Sequence, residues 1–552
     1  MIRRNFLKLL GLSAASTLPV KSLFAIPPSH LQQTKGPLRY PSQEAIKLQM
    51  FSPDITLGHK LRDHQLIRES WNNAFEKPPI ETLIAGAGVA GLSCAYHLHQ
   101  QGAQFLIIDP LDRAGGTSAA INCGGMQVPI GAHYLMTPPT EATEIRLFLK
   151  EIGAIEENLT GLDIYRSDLL LNSTRPQERS FYINQWTNGI GDSLGDLPQS
   201  ITLRKFHKFW QFLSQLQGID GRRWFSIPTE KSSRDPKALE LFDINFVEYL
   251  KNAKLWDEQV EYVVNFACMD DYGCLAHEVS AWLGWHYFAC RPYLDLSQTL
   301  TSVSGNGWLV EELQNRIPEY SKHWSTVLAS VRKHPLGLEC LLTNSQGLWW
   351  KQIVKKLVYA GKNHVLKHLC TEKWYVDGLS KVSSQLLTNQ KLWLTTQIQF
   401  NKLPPDILDS INWDNVDVHS KSVGYIHANH QDFDHQDQQV ITHYFPVSAK
   451  LGWNNKDLFN QSPAQLKQLV IDDLFHSSPE LVAHITNMIF RPAGHAMSIP
   501  TKNQRLPSLV NAENAPVIGD LILCNSDSYG LPLFEEAFQA GYNASRKIAK
   551  IR

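Results

Sequence analysis

Two glycine clusters constrain this chain more than any other feature. Residues 83–91 read Leu-Ile-Ala-Gly-Ala-Gly-Val-Ala-Gly. With Thr82 they open as a short apolar run, the pattern of a buried parallel strand. Leu92, Ala95 and Leu98 then recur at helical spacing. A strand that turns sharply into a helix beside a ligand needs bare main chain at three points. Gly86 permits the tight turn, Gly88 leaves room for a close approach, and Gly91 lets the helix lie against the strand. The N–H groups of the first helical turn and the positive end of the helix dipole then converge on one spot suited to a diphosphate. Gln101-Gly102 closes the helix and Phe105–Ile108 forms a second buried strand. Asp109 ends that strand, eighteen positions after Gly91, near the roughly 20 at which a carboxylate meets a ribose hydroxyl. Gly86, Gly88, Ala90, Gly91 and Asp109 therefore read as a dinucleotide cradle. The second cluster, Gly115-Gly116, follows six positions later.

Length and charge narrow the class. At 552 residues more than one domain is expected. A net charge of −1 offers no basic face for nucleic acid. No run approaches the roughly 18 apolar residues of a membrane span, so no integral membrane segment is expected in the mature chain. The start, Met1-Ile-Arg-Arg-Asn-Phe-Leu-Lys8, followed by a diluted apolar stretch to Leu18 and a small residue at Ala25, reads as a twin-arginine signal peptide over 1–25. That predicts the twin-arginine export machinery as a partner and the periplasm as the location. Export in the folded state suits a protein whose cofactor is inserted beforehand.

Eight cysteines include no Cys-x-x-Cys pair. Cys94 and Cys524 read as packing residues. Cys268 and Cys274 could bridge in an oxidising compartment, although a protein folded before export need not use disulfides. His427, His430 and His435 match no usual metal spacing, and no metal is expected.

The domain pattern is interrupted. Residues 26–78 carry Pro, Gln, Ser and His with little periodicity and read as an extended arm. Residues 79–135 form the first piece of the nucleotide domain, 136–300 a helical substrate domain with aromatic stretches such as Trp282–Phe288. Strand-like runs over 326–342 and 349–360 place 301–375 back in the nucleotide domain. Residues 376–505 are a second substrate piece, and 506–552 close the nucleotide domain through Leu521–Cys524, a glycine turn and a helix.

Arg113-Ala-Gly-Gly116 after Asp109, then Gly131-Ala-His-Tyr134, resembles the Gly-Gly-doublet flavoproteins: the flavin-containing amine oxidases, protoporphyrinogen oxidases and phytoene-desaturase-like enzymes. The resemblance implies an α/β fold: a doubly wound FAD/NAD(P)-binding domain of discontinuous segments with an inserted α+β substrate domain, and FAD as cofactor. It sets Arg113, Gly115 and Gly116 against the FAD diphosphate and Gly131, Ala132 and His133 at the flavin edge. Leu521–Asp527 and Phe534–Gly541 are similar to the family's closing motif, which implies Asp527 on the ribityl hydroxyls and a helix beginning at Leu533 beneath the flavin. Val331, ahead of Val327, is the expected adenine contact. The chain also departs from the pattern. Thr117 stands where the doublet is often followed by arginine. Leu533 stands two positions before Glu535, where amine oxidases carry an aromatic, and Glu536 replaces a usual glycine. No Cys or His is placed for a covalent flavin bond, so FAD is expected to bind noncovalently.

A flavin carries the difficult redox step itself, which leaves the protein to orient substrate and exclude water. His133, Tyr425, His430 and His495 are the candidate catalytic side chains, with Tyr134, Trp308 and Tyr529 as further pocket candidates. Each lies beside a glycine-rich or cofactor-adjacent turn, and each equally suits ordinary packing or a loop hydrogen bond. The expected activity is that of an exported FAD-dependent oxidoreductase taking hydride from a C–N or C–C bond of a small-molecule substrate. A long apolar tunnel would indicate a desaturase or isomerase instead. A short pocket with an acidic or aromatic end would indicate an amine. A flavin sealed by bulky side chains would indicate a non-catalytic accessory protein.

Overall fold

Five parallel strands form the centre of the first sheet: Lys322–His323, Phe105–Ile108, Phe75–Ala85, Trp349–Tyr359 and Leu521–Leu523, in that order. The computed structural model describes residues 46–51, 62–157, 163–171, 177–182, 184–189, 199–291, 298–430, 432, 437–501, 503–510 and 515–549. The signal segment 1–25 and His435 lie outside them. Strands buried on both faces need apolar residues at consecutive positions, which explains the unbroken Leu83-Ile84 and Phe105–Ile108 runs. Leu83, Ile108, Leu357 and Leu521 face one core, while Ile84, Ile107, Val358 and Ile522 face the other. This is the two-residue period of a strand expressed across the whole sheet.

The Trp349–Tyr359 strand changes partner along its length. Its first half pairs antiparallel with Leu338–Thr343, and its last three residues pair parallel with Leu521–Leu523. Gly337–Asn344 pairs in turn with Thr326–His334 to complete an antiparallel flap. Helices Val89–Gln100, Gly307–Asn315 and Phe534–Ala549 cover one face, contributing Leu92, Leu98, Leu309, Leu313 and Phe538 to its core. The C-terminal helix lies unusually close to the first one. A Cβ on Gly541 would sit 2.4 Å from the Ala90 carbonyl oxygen, and Ser93 Oγ donates to the Phe538 carbonyl at 2.7 Å. Sequence segments far apart thus assemble one doubly wound domain.

The second sheet has the order Lys47–Met50, Ile485–Ile499, Asn389–Phe400, Gln439–Phe445, Tyr425–His427, Asp414–Asp417, Glu178–Tyr182, Gln185–Asn188. Beside it stand helices Ile201–Ser214, Phe246–Asn252, Glu258–Tyr272 and Ala281–Ala289. Their core is aromatic: Trp282 stacks on Phe242 at 4.8 Å and Trp285 on Phe206 at 5.0 Å. Much of the tryptophan load is therefore packing.

Several expectations need correction. The 26–78 stretch is not an extended arm throughout. Lys47–Met50 pairs parallel with Asn487–Phe490 in the second sheet, and His64–Asn73 is a helix. Asp63 caps that helix by accepting from the Gln65 and Leu66 amides at 3.1 and 3.0 Å, and Trp71 is buried beneath the Arg332 guanidinium. The first strand starts at Phe75 rather than 79. Lys373–Val382 packs Tyr375 and Val382 into the nucleotide core, so that domain extends past residue 375. Trp282–Phe288 lies within a helix. All eight cysteines are buried free thiols, Cys268 and Cys274 included. No helix among the described residues is long and apolar enough to cross a membrane.

Candidate functional site

The two glycine turns meet. Gly115 donates its amide to the Ala87 carbonyl at 2.7 Å, and Gly88 and Gly115 form an isolated parallel bridge. Gly86 has φ +115°, and a Cβ there would lie 2.8 Å from the Ala360 carbonyl carbon. A Cβ on Gly91 would fall 1.9 Å from the Gly86 oxygen. These two glycines are demanded by protein packing. Gly88 is different: it caps the helix in ordinary extended geometry, and no protein atom lies within 4 Å of the position its Cβ would take. The space ahead of the helix N-terminus is open, as a diphosphate cradle requires. The residues present fit a dinucleotide.

Other cradle expectations shift. Both oxygens of Asp109 accept main-chain amides, from Ala87 at 2.7 Å and Leu111 at 2.9 Å, so the carboxylate staples the two turns together and keeps one acceptor site on each oxygen. Burial raises it to about 6. Arg113 turns outward and pairs with Asp112 at 2.9 Å, because the adjacent carboxylate shares its exposed turn. Thr326 donates to the Asp109 carbonyl at 2.8 Å. Val327 is therefore the valine level with the acidic end of the strand. Val331 lies four residues further on, packed in the core with Leu83 and Ile108. Asp527 is buried and accepts from Lys362 Nζ at 3.2 Å and, more weakly, Gln390 Nε2 at 3.5 Å.

A cavity of about 600 Å³ begins at the expected flavin edge and reaches into the substrate domain. Thr117, Gly131, Ala132, His133 and Leu533 line its near end. Gly305, at φ +55°, makes this possible: a Cβ there would lie 2.8 Å from Ala132 O. His133 packs among Tyr134, Tyr444 and Trp413 at 5.0, 5.0 and 5.5 Å, and burial lowers it to about 4, so it is neutral at pH 7. Tyr425 also lines the cavity, but its hydroxyl accepts from Arg179 at 3.1 Å and bonds Ser478 at 3.0 Å, a structural arrangement. His430, His495, Trp308 and Tyr529 are not among the lining residues. His430 packs against His427, and His495 stacks on His364 at 3.7 Å.

The cavity also holds what the sequence reading missed. Asp270, Asp271, Asp414 and Glu535 line it, together with Glu178, the guanidinium groups of Arg291 and Arg491, and the rings of Tyr134, Trp393, Trp413 and Tyr444. Burial followed by the Asp271 charge lifts Asp270 to about 7. Burial also raises Asp271, Asp414 and Glu535, and Arg291 opposes this for Asp271 and Glu535. Asp271 is 5% exposed and its Oδ2 has no hydrogen-bond partner among the described residues. One signal was available. Asp270 and Asp271 occupy the last turn of the Glu258–Tyr272 helix, where the dipole disfavours negative charge. Carboxylates kept at an unfavourable helix end point to a use for them.

A family model described as an NAD(P)-binding Rossmann-like domain matches residues 84–152. Wild-type putrescine oxidase bound to putrescine superposes with a TM-score of 0.60 at 13% identity, over 86% of this chain and 99% of that one. The chain has the fold of putrescine oxidase. Cyclohexylamine oxidase from Brevibacterium oxydans IH-35A shares this fold at a TM-score of 0.61 and 14% identity, over 86% of this chain and 99% of that one. A CLA-producing fatty acid isomerase from P. acnes shares it at 0.57 and 15%, over 85% and 98%. No curated protein matches the sequence.

Proposed function

We propose that this protein is an exported FAD-dependent oxidoreductase that oxidises a protonated amine at its C–N bond. One observation carries the reading: a single cavity joins the glycine-lined flavin edge to a chamber walled by Asp270, Asp271, Asp414 and Glu535 and by aromatic rings. A buried carboxylate without a hydrogen-bond partner is costly unless a cation or proton satisfies it. Aromatic faces favour the same charge. The chamber is acidic, which argues against an apolar polyene or acyl chain. The structural likeness to putrescine and cyclohexylamine oxidases agrees with this choice.

Gly86, Gly88, Gly91, Gly115 and Gly116 would hold the FAD diphosphate, with the first helical turn after Gly88 supplying N–H groups. Val327 would meet the adenine, and Gly131–His133 and Leu533 the flavin ring. Bound there, FAD would supply the hydride acceptor. The chain's own residues do the rest. Asp271 and its neighbours hold the ammonium group, and Tyr444, Trp413 and Trp393 fix the carbon skeleton and exclude water. An ionised carboxylate in this set receives the proton that the ammonium must lose before its C–N bond is oxidised.

The test is anaerobic mixing of purified holoprotein with panels of primary amines, fatty acids and polyenes. Amines are expected to bleach the visible flavin spectrum; bleaching by fatty acids or polyenes alone would reject the reading. Export is proposed on Arg3-Arg4 and Phe6-Leu7-Lys8. Fractionated cells should release the protein with the periplasm, and an Arg3→Lys, Arg4→Lys double variant should hold it in the cytoplasm. Equal distribution of both forms would refute the signal.

A further inference from the structure

In an open sheet of parallel strands a ligand binds in the crevice outside the carboxyl ends of the strands, where the loops diverge. The five parallel strands of the nucleotide domain end at His323, Ile108, Ala85, Tyr359 and Leu523. Between these ends and the next element of each segment the loops carry two cations, Arg113 after Ile108 and Lys362 after Tyr359. Arg113 is engaged elsewhere: it pairs with Asp112 at 2.9 Å, and its guanidinium lies 5.6 Å from the centre of the Phe51 ring. Lys362 is the cation left at this edge to meet a diphosphate. Its main chain is fixed against the cradle. A Gly86 Cβ would lie 2.9 Å from the Ala360 oxygen and 3.1 Å from the Gly361 nitrogen, so Lys362 directly follows residues that touch the Gly86 turn. Tyr359 OH donates to the Lys362 carbonyl at 3.0 Å, and Asn525 Nδ2 donates to the Gly361 carbonyl at 2.6 Å. The second bond ties this loop to the one that follows Leu521–Leu523.

The Lys362 side chain is held less tightly than its main chain. Nζ donates to Asp527 Oδ1 at 3.2 Å and to the Ala496 carbonyl at 3.4 Å, both longer than the roughly 2.7–2.9 Å of a charge-assisted hydrogen bond. An ammonium group has three donors, and the side chain is 32% exposed. Ala496 is a wall residue of the cavity. Lys362 therefore reaches from the Gly86 turn to the cavity wall, along the line a dinucleotide follows if its diphosphate rests in the cradle and its flavin enters the cavity. We propose that Lys362 supplies the positive charge to the FAD diphosphate, the role that the sequence resemblance gave to Arg113. This rests on the cradle reading above and adds to it a cation from a different loop of the sheet.

The experiment titrates flavin-stripped protein with FAD by fluorescence and records phosphorus NMR spectra of the flavin-saturated protein. Lys362→Gln should weaken FAD binding roughly tenfold or more, as expected for a lost hydrogen bond to a charged group, and should move at least one phosphorus resonance of the bound cofactor. Lys362→Arg should keep most of the affinity. A double-mutant cycle with Asp527→Asn separates this from a purely structural pairing. If Lys362 meets the diphosphate, Lys362→Gln costs as much in the Asp527→Asn protein as in wild type. If it only neutralises Asp527, that cost disappears, and the proposal falls. Should the single variant be too unstable to purify, the double variant against Asp527→Asn alone decides the same question. Unchanged FAD affinity in Lys362→Gln, or unmoved phosphorus resonances, would also overturn the proposal. Gly88→Leu serves as the control on the cradle. If it loses FAD while Lys362→Gln does not, the cradle stands and the lysine contact falls. If Gly88→Leu binds FAD like wild type while Lys362→Gln loses it and shifts a phosphorus resonance, the lysine contact stands and the cradle falls.

Discussion

Gly88→Leu should yield folded, colourless protein. The added Cβ meets no protein atom within 4 Å and the backbone at Gly88 is at φ −69°, which any residue adopts. Neither the backbone nor the position of the Cβ therefore resists the change. The leucine side chain instead fills the space ahead of the Val89–Gln100 helix, where the diphosphate would approach the bare amides. Flavin content should fall below a tenth of wild type, and the melting temperature should match that of wild type stripped of its flavin, because ligand stabilisation is lost by mass action alone. Gly91→Leu tests the opposite case. Its Cβ would fall 1.9 Å from the Gly86 oxygen, so the helix must move off the strand, at a cost of about 1–3 kcal/mol or more. That variant should melt below stripped wild type as well as lose colour. Yellow, fully loaded Gly88→Leu protein would reject the cradle.

The contrast between these two glycines shows what sequence can reveal. A glycine triplet between a strand and a helix is dictated by main-chain geometry within a few residues, so the Thr82–Gly91 turn and its partner at Gly115-Gly116 could be read locally. The segments that complete the sheet, Thr326–His334, Trp349–Tyr359 and Leu521–Leu523, were legible for a similar reason: buried strands announce themselves by composition. Side-chain direction is not local. Arg113 could face the cradle or Asp112, and only the folded turn decides. Val327 and Val331 both suit a strand contact, and the choice depends on the Thr326–Asp109 hydrogen bond between distant segments. The acidic chamber was harder still. Asp270 and Asp271 come from a helix end, Asp414 from a strand and Glu535 from the C-terminal helix, and no spacing links them. His430 and His495 lie beside suggestive turns yet miss the cavity, because adjacency in sequence does not fix which face of a sheet a residue serves.

Asp271→Asn should weaken amine binding roughly a hundredfold while leaving flavin loading unchanged. Asp271 is among the cavity carboxylates most fully withdrawn from water, and its free Oδ2 is the acceptor an ammonium group would use. Removing one partner of a desolvated charge pair costs about 2–5 kcal/mol, and a hundredfold loss is about 2.7 kcal/mol. The effect should appear in KM and in the equilibrium constant for benzylamine, with the spectrum of the bound flavin unaltered. Its pH dependence has a definite sign. Asp270 is raised to about 7, first by burial and then by the Asp271 charge, and the two carboxyls titrate as a pair. Below that pH the pair keeps a proton and competes poorly for a cation. Amine affinity should therefore rise as pH increases through about 7, and Asp271→Asn should flatten the rise. The empty protein should show the reverse trend. A carboxyl whose folded value lies above its ordinary one contributes stability that is present at low pH and is lost as pH rises through the folded value. The melting temperature of ligand-free protein should accordingly fall from about pH 4 to about pH 7 and level off above it, and Asp270→Asn, which carries no charge to desolvate, should reduce that fall. Amine binding that is independent of pH across this range, with Asp271→Asn indistinguishable from wild type, would remove the acidic chamber from substrate recognition even if the flavin site proved sound.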